Sequence, residues 1–120
     1  MTHKPLLDIS DATRLVVQLA SEKQASDISL LDMRQACSFT DYFVLATAES
    51  NRQMNSLVDD IEKTLRAVGI SAHHLEGNTG GGWILMDYGA FIVHVFRQEE
   101  RDFYRMDDFW ANAPLILRIQ

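Results

Sequence analysis

The stretch 76–96 constrains the fold most tightly. Two apolar runs, Trp83-Ile84-Leu85-Met86 and Phe91-Ile92-Val93-His94-Val95-Phe96, flank Asp87-Tyr88-Gly89. Short apolar runs on either side of a turn signal predict a hairpin inside a sheet core. A two-residue loop places Trp83 opposite His94. A three-residue loop with a glycine bulge slips the register by one and places Trp83 opposite Val93. Tyr88 is a poor residue for positive φ, which favours the bulge. Glu76, Trp83, Asp87, Tyr88 and His94 are not needed to build a core, so they raise the question of function.

The rest of the chain supplies partners for this hairpin. Ala12, Leu15, Val16, Leu19 and Ala20 fall on one face of a helix starting at Ser10 and ending near Gln24. Strands follow at 27–33 and 41–47; the second is almost continuously apolar, which suits a central position. The helix 51–68 is the best marked. Ser50 and Gln53 form a capping box. Met54, Leu57, Val58, Ile61, Leu65 and Val68 make its core stripe, and Gly69 stops it. A strand over 70–75 after this helix predicts a right-handed crossover and a parallel pair with 41–47. Beyond the hairpin, 99–110 reads as one helix with Phe103, Met106, Phe109 and Trp110 as its apolar stripe. Pro114 ends it, and 115–119 is apolar enough to pack back. The expected order is α-β-β-α-β-β-β-α: one α/β (α+β) domain over residues 1–120, core about 7–112, with a mixed five-stranded sheet flanked by helices.

Charge narrows the partners. Eleven basic residues stand against 17 acidic ones, a net charge of −6. Phosphate recognition draws on clustered Lys and Arg, whereas the three lysines here, Lys4, Lys23 and Lys63, are scattered. The balance disfavours direct nucleic-acid readout and favours a basic protein surface. Cys37 is the single cysteine, so no internal disulfide forms and a reducing compartment is expected. Residues 1–5 resemble neither a signal nor a transit peptide. No run approaches the ~18 apolar residues of a membrane span, so the expected compartment is a bacterial cytoplasm.

Candidate chemistry is thin. Gly80-Gly81-Gly82 has no following lysine and opens a strand, so it reads as a flexible connection, not a phosphate loop. His73 and His74 point to opposite faces of a strand, and no second spaced pair supports a metal site with His94. Nucleotidyl transfer wants two carboxylates two residues apart to hold magnesium; after Asp32 that place holds Arg34. No cofactor or metal is expected. Trp83 follows a polar loop and begins a strand, and both core packing and an interface role remain open for it.

An ordered set of motifs then resembles a known family. They are Leu31-Asp32-Met33, Thr40-Asp41-Tyr42-Phe43-Val44, and Ser50 with Arg52-Gln53. Glu76-Gly77 follows, then five residues, Trp83, Asp87-Tyr88-Gly89 and Val93-His94-Val95-Phe96. Arg101, Tyr104 and Met106-Asp107-Asp108-Phe109-Trp110 close the set. Over about residues 7–110 the chain resembles the ribosomal silencing factors, the RsfS or Iojap family. Asp107 and Phe109 replace the more usual Glu and Leu, and the triple glycine replaces a more varied loop. The resemblance implies a nucleotidyltransferase-like fold without catalysis. It implies binding to ribosomal protein L-fourteen on the large subunit, steric block of small-subunit joining, a part in large-subunit maturation, and homodimers. A docking patch of Glu76, Trp83, Asp87 and Tyr88, with Asp41 and Tyr42 nearby, fits a basic protein. The competing readings are a small nucleotidyltransferase or metal-dependent hydrolase using Asp32, Asp41 and Asp87, and a general assembly scaffold.

Overall fold

The computed structural model describes residues 7–120; the N-terminal residues 1–5 discussed above lie outside them. Strands β2 (Tyr42–Ala48) and β5 (Phe91–Arg97) pair in parallel at the centre, from Tyr42 opposite Phe91 to Ala48 opposite Arg97. Nearly every residue of both is buried, as a strand covered on two sides requires. Strand β1 (Ser26–Asp32) adds antiparallel to β2, and β4 (Trp83–Asp87) antiparallel to β5. Strands β3 (His74–Asn78) and β6 (Leu115–Ile119) form the two edges, giving the order β3-β4-β5-β2-β1-β6.

Helices α1 (Ile9–Glu22) and α2 (Asn51–Ala67) cover one sheet face. Asp8, not Ser10, caps α1: its carboxylate accepts from the Asp11 N–H at 2.8 Å. Ser50 caps α2 through the Gln53 N–H, but the Gln53 side chain accepts from Glu49 rather than from Ser50. Met54, Leu57, Ile61 and Leu65 of the α2 stripe are buried against Val44, Ala46, Val93 and Val95. Each such side chain contributes roughly 1.5–3 kcal/mol.

Four expectations are corrected. The sheet has six strands, because 115–119 pairs with β1 instead of merely packing back. The parallel partner of β2 is β5; β3 begins only at His74, is exposed throughout, and lies antiparallel to β4 at the edge. The polar run through Ser71, His73 and His74 cannot supply a doubly buried strand, whereas 91–96 can. The final helix splits into α3 (Gln98–Phe103) and α4 (Met106–Phe109), because Arg105 takes a left-handed φ of 51°. The triple glycine belongs to an ordered 3-10 turn, Thr79–Gly81, closed by the Asn78 side chain on the Gly81 N–H at 2.8 Å.

The α3–α4 segment is held to the second sheet face by a buried arginine. The Arg101 guanidinium, fully out of solvent, donates to both Asp107 carboxylate oxygens at 2.9 Å, to Thr47 Oγ1 at 2.9 Å, and to the Asp27 carbonyl. Asp27 sits at a bulge of β1 with φ 47° and also accepts from Arg118 of β6. One planar fork thus ties α3, α4, β1 and β2 together. Arg101 holds the Asp107 carboxyl below the usual carboxylate range. Arg101→Met keeps most of the volume and strands these acceptors; the expected loss is about 3 kcal/mol in urea unfolding. Arg101→Lys should recover only part of it, since an ammonium cannot make the paired bonds.

Candidate docking face

Alternation along the strands places Trp83, Leu85 and Asp87 on the sheet face opposite α1 and α2. Their neighbours on that face are Phe96, His94 and Ile92 of β5, then Phe43 and Leu45 of β2. The register differs from both expectations: Trp83 stands opposite Phe96, not His94 or Val93. The turn lies later than expected. Tyr88 and Phe91 close it through the Tyr88 N–H to the Phe91 carbonyl, 3.0 Å. Gly89 takes φ 82°, which spares Tyr88 the left-handed region. Asp87 accepts from the Gly89 N–H at 2.7 Å, and Thr40 Oγ1 donates to the Gly89 carbonyl.

This register sorts the six residues expected to form the patch. Glu76 stands opposite Leu85 on β3, so Glu76, Trp83 and Asp87 share one face. Glu76 is exposed and bonded only to His74, at 2.8 Å, among the described residues. Tyr88 is not on this face. It is 5% exposed, stacks on Phe91 at 4.9 Å and packs with α1 and α2, and burial pushes its hydroxyl up to about 12. Tyr42 likewise packs toward the helices, with the Arg34 guanidinium 5.6 Å from its ring. Asp41 is exposed beside the hairpin turn, its N–H bonded to the Ala90 carbonyl.

Trp83 packs against the core and stays partly exposed. Its ring stacks on Phe96 at 5.2 Å, meets Tyr104 at 5.0 Å, and donates Nε1–H to His94 Nδ1 at 3.2 Å. Yet it is only half-buried and lines an open groove with Phe43, Leu85, Ile92, Phe109 and Trp110. The residues that sequence reasoning missed are those from α3–α4 and the 34–41 loop. Phe109 and Phe39 are 72% and 60% exposed beside the groove. The sequence carried no signal that set Phe109 apart, because 99–110 reads as one helix with Phe109 in its apolar stripe.

His94 lies beneath Trp83, 3% exposed, its ring 4.5 Å from that of Phe43. Because Nδ1 accepts from Trp83, the ring proton sits on Nε2, which has no partner among the described residues. Burial, helped by the Arg101 charge, lowers its pKa from 6.5 to about 3. Among the described residues no group of three His, Cys, Asp or Glu side chains is placed to hold a metal. The acids of the hydrolase reading are also dispersed. Asp32 is bound in a two-pronged pair by Arg34, at 2.9 and 2.7 Å, which holds its carboxyl down to about 2. It stands opposite Tyr42 on the helix side, three strands from Asp87, a span of roughly 14 Å at ~4.8 Å per strand.

The buried histidine predicts an acid sensitivity. Below pH 6.5 the unfolded chain takes up a proton at His94 that the folded chain refuses down to about pH 3. Stability is therefore complete above 6.5 and falls with pH by about 1.4 kcal/mol per unit along the steep part. His94→Gln retains an acceptor for Trp83 and removes the titration. Its urea midpoint should vary less than wild type between pH 6.5 and 4.5; equal slopes would contradict a buried neutral His94.

Comparison with known proteins agrees with this architecture. Residues 7–120 match the family described as "Ribosomal silencing factor during starvation", RsfS. The ribosomal silencing factor RsfS of Bacillus subtilis is 32% identical over 115 residues, covering 96% of this chain and 92% of that protein. The mouse protein named "Mitochondrial assembly of ribosomal large subunit protein 1" is 24% identical over 100 residues, covering 81% of this chain and 44% of that one. A crystal structure of a Chromobacterium violaceum protein superposes with a TM-score of 0.82 at 28% identity, covering 88% of each chain. The chain belongs to the ribosomal silencing factor (RsfS) family.

Proposed function

We propose that this chain represses translation by occupying ribosomal protein L-fourteen on the large subunit, so that the small subunit cannot join. The observation that carries this reading is the half-covered sheet face, where Trp83 and Leu85 share a face with the carboxylates of Glu76 and Asp87. An apolar patch rimmed by one sign of charge marks a protein interface. With a net charge of −6, its partner is a basic protein and not ribosomal RNA, whose phosphates repel it. Occupancy suffices and no reaction is needed. The engagement of Asp32 by Arg34 and its distance from Asp87 support a non-enzymatic role over the hydrolase reading. The place of action is the bacterial cytoplasm; no helix among the described residues is long and apolar enough to cross a membrane.

A second reading, help in large-subunit maturation, is favoured by the name of the mouse relative. The two share a surface, because a factor on the joining face of an immature subunit also keeps the small subunit away. Homodimers using the same face would compete with docking.

The test uses purified ribosomal subunits. Trp83→Ala and Glu76→Lys, each checked for folding by circular dichroism, should co-sediment with large subunits about tenfold or more weakly than wild type. Both should lose the block on subunit joining seen by light scattering. Tyr88→Phe, altered on the opposite face, should bind as wild type. Undiminished binding by both Trp83→Ala and Glu76→Lys would reject this face.

A further inference from the structure

The face around Trp83 continues into a groove of about 360 Å³ between the sheet and α3–α4. Phe43, Leu85 and Ile92 of the sheet form its floor, as their shared face requires. The Trp83–Tyr104 pair, at 5.0 Å, stands on one side, and the Phe43–Trp110 pair, at 5.1 Å, on the other. Phe109 contributes an outer wall. The lining is carbon almost throughout; His94 and Tyr104 are its only side chains with a polar group besides the two indoles. The Trp83 indole N–H is already committed to His94.

These features specify an occupant. We propose that the groove takes one large apolar side chain, of leucine to phenylalanine size, from a basic protein segment whose lysines or arginines pair with Glu76 and Asp87. This rests on the docking face above and adds the anchor that charge alone does not provide. At about 360 Å³ the groove has room for such a side chain.

Charge selects among the remaining occupants. The basic groups near the groove are internally matched: Arg105 pairs with Asp108 at 3.1 Å and Arg101 with Asp107 at 2.9 Å. Asp87 has no cationic partner among the described residues, and Glu76 has only an exposed histidine. The rim is therefore acidic. It repels an anionic lipid surface, and it makes a basic segment a better match than a second −6 chain. A basic segment gains on both counts, from burial of its apolar residue and from two unmatched carboxylates.

Two substitutions address the groove without touching Trp83 or the acids. Leu85→Trp fills it from the floor. Phe109→Ser removes a side chain that is 72% exposed, so the core is not opened. Binding to purified large subunits is measured by sedimentation at low and high salt, beside wild type, Trp83→Ala and Glu76→Lys. The groove predicts about a tenfold loss for Phe109→Ser and for Leu85→Trp, with the salt dependence kept, whereas Glu76→Lys changes the salt dependence. If Leu85→Trp does not fold, Phe109→Ser decides. Wild-type binding by the groove variants while Trp83→Ala and Glu76→Lys fail overturns the anchor and leaves the docking face standing. No binding by wild type, or no loss in any variant, overturns both. Phe109→Ser that alters only self-association in light scattering assigns the groove to a second copy and overturns the proposal.

Discussion

The parallel pairing of β2 with β5 is the constraint from which the other features follow. Two central strands, buried along nearly their whole length, present apolar side chains above and below the sheet. Parallel neighbours also require a crossover, and here α2 and the β3–β4 hairpin are spent on it. Helices α1 and α2, 14 and 17 residues long, cover one face. The other face receives only α3 and α4, six and four residues. Ten helical residues reach roughly 15 Å at 1.5 Å each. Six strands at ~4.8 Å span roughly 24 Å between the edge strands. Apolar surface over β4 is left half-covered, and Trp83 lies at that margin.

What cover exists is positioned by a charge rather than by a hydrophobic stripe. Of the α3–α4 side chains, Met106 is buried and Phe103 and Phe109 are largely exposed. Arg101 supplies the attachment, with bonds to β1, β2 and α4 that only a planar fork can make together. A buried ion pair adds little net stability over an apolar replacement of good fit. Its effect here is directional: it sets where Tyr104 and Trp110 stand, and therefore the width of the groove. The same charge lies close enough to disfavour protonation of His94, so the clamp also helps to keep the groove floor neutral.

Much of this was legible in the residues. The stripe from Met54 to Leu65, the Ser50 cap and the apolar runs of β2, β4 and β5 were each marked by a period or a capping pattern that local chemistry dictates. The failures have a common cause: they depend on long-range pairing. Which strand lies parallel to β2 is decided by competition between 70–75 and 91–96 for a doubly buried slot. Gly89 takes the positive φ, as the poor fit of Tyr88 to that region suggested, but the register that sets Trp83 opposite Phe96 was not readable from the turn residues. Arg101 reads as a solvated helix residue until Asp27, 74 positions away, is folded against it. Glu76, Trp83 and Asp87 were identifiable as residues without a core purpose. That they share a face, and that Tyr88 does not, needed the register.

For Trp83, packing into the core and a part in the proposed docking face are compatible. A ring stacked on Phe96, wedged by Tyr104 and bonded to His94 has little freedom left to lose on binding. Side-chain ordering is a main cost of association, so an anchor fixed beforehand keeps more of its burial energy. The same packing makes Trp83 a residue whose loss reaches the core, which is why exposed Glu76 and Phe109 separate docking from folding more cleanly. The acids act over a different range. Surface charges are screened beyond ~8–10 Å at ordinary salt, so in the proposed docking Glu76 and Asp87 would discriminate at contact while the −6 total biases the approach. For the proposed docking, repulsion from phosphate-rich surfaces would contribute to selectivity beside attraction to a basic partner.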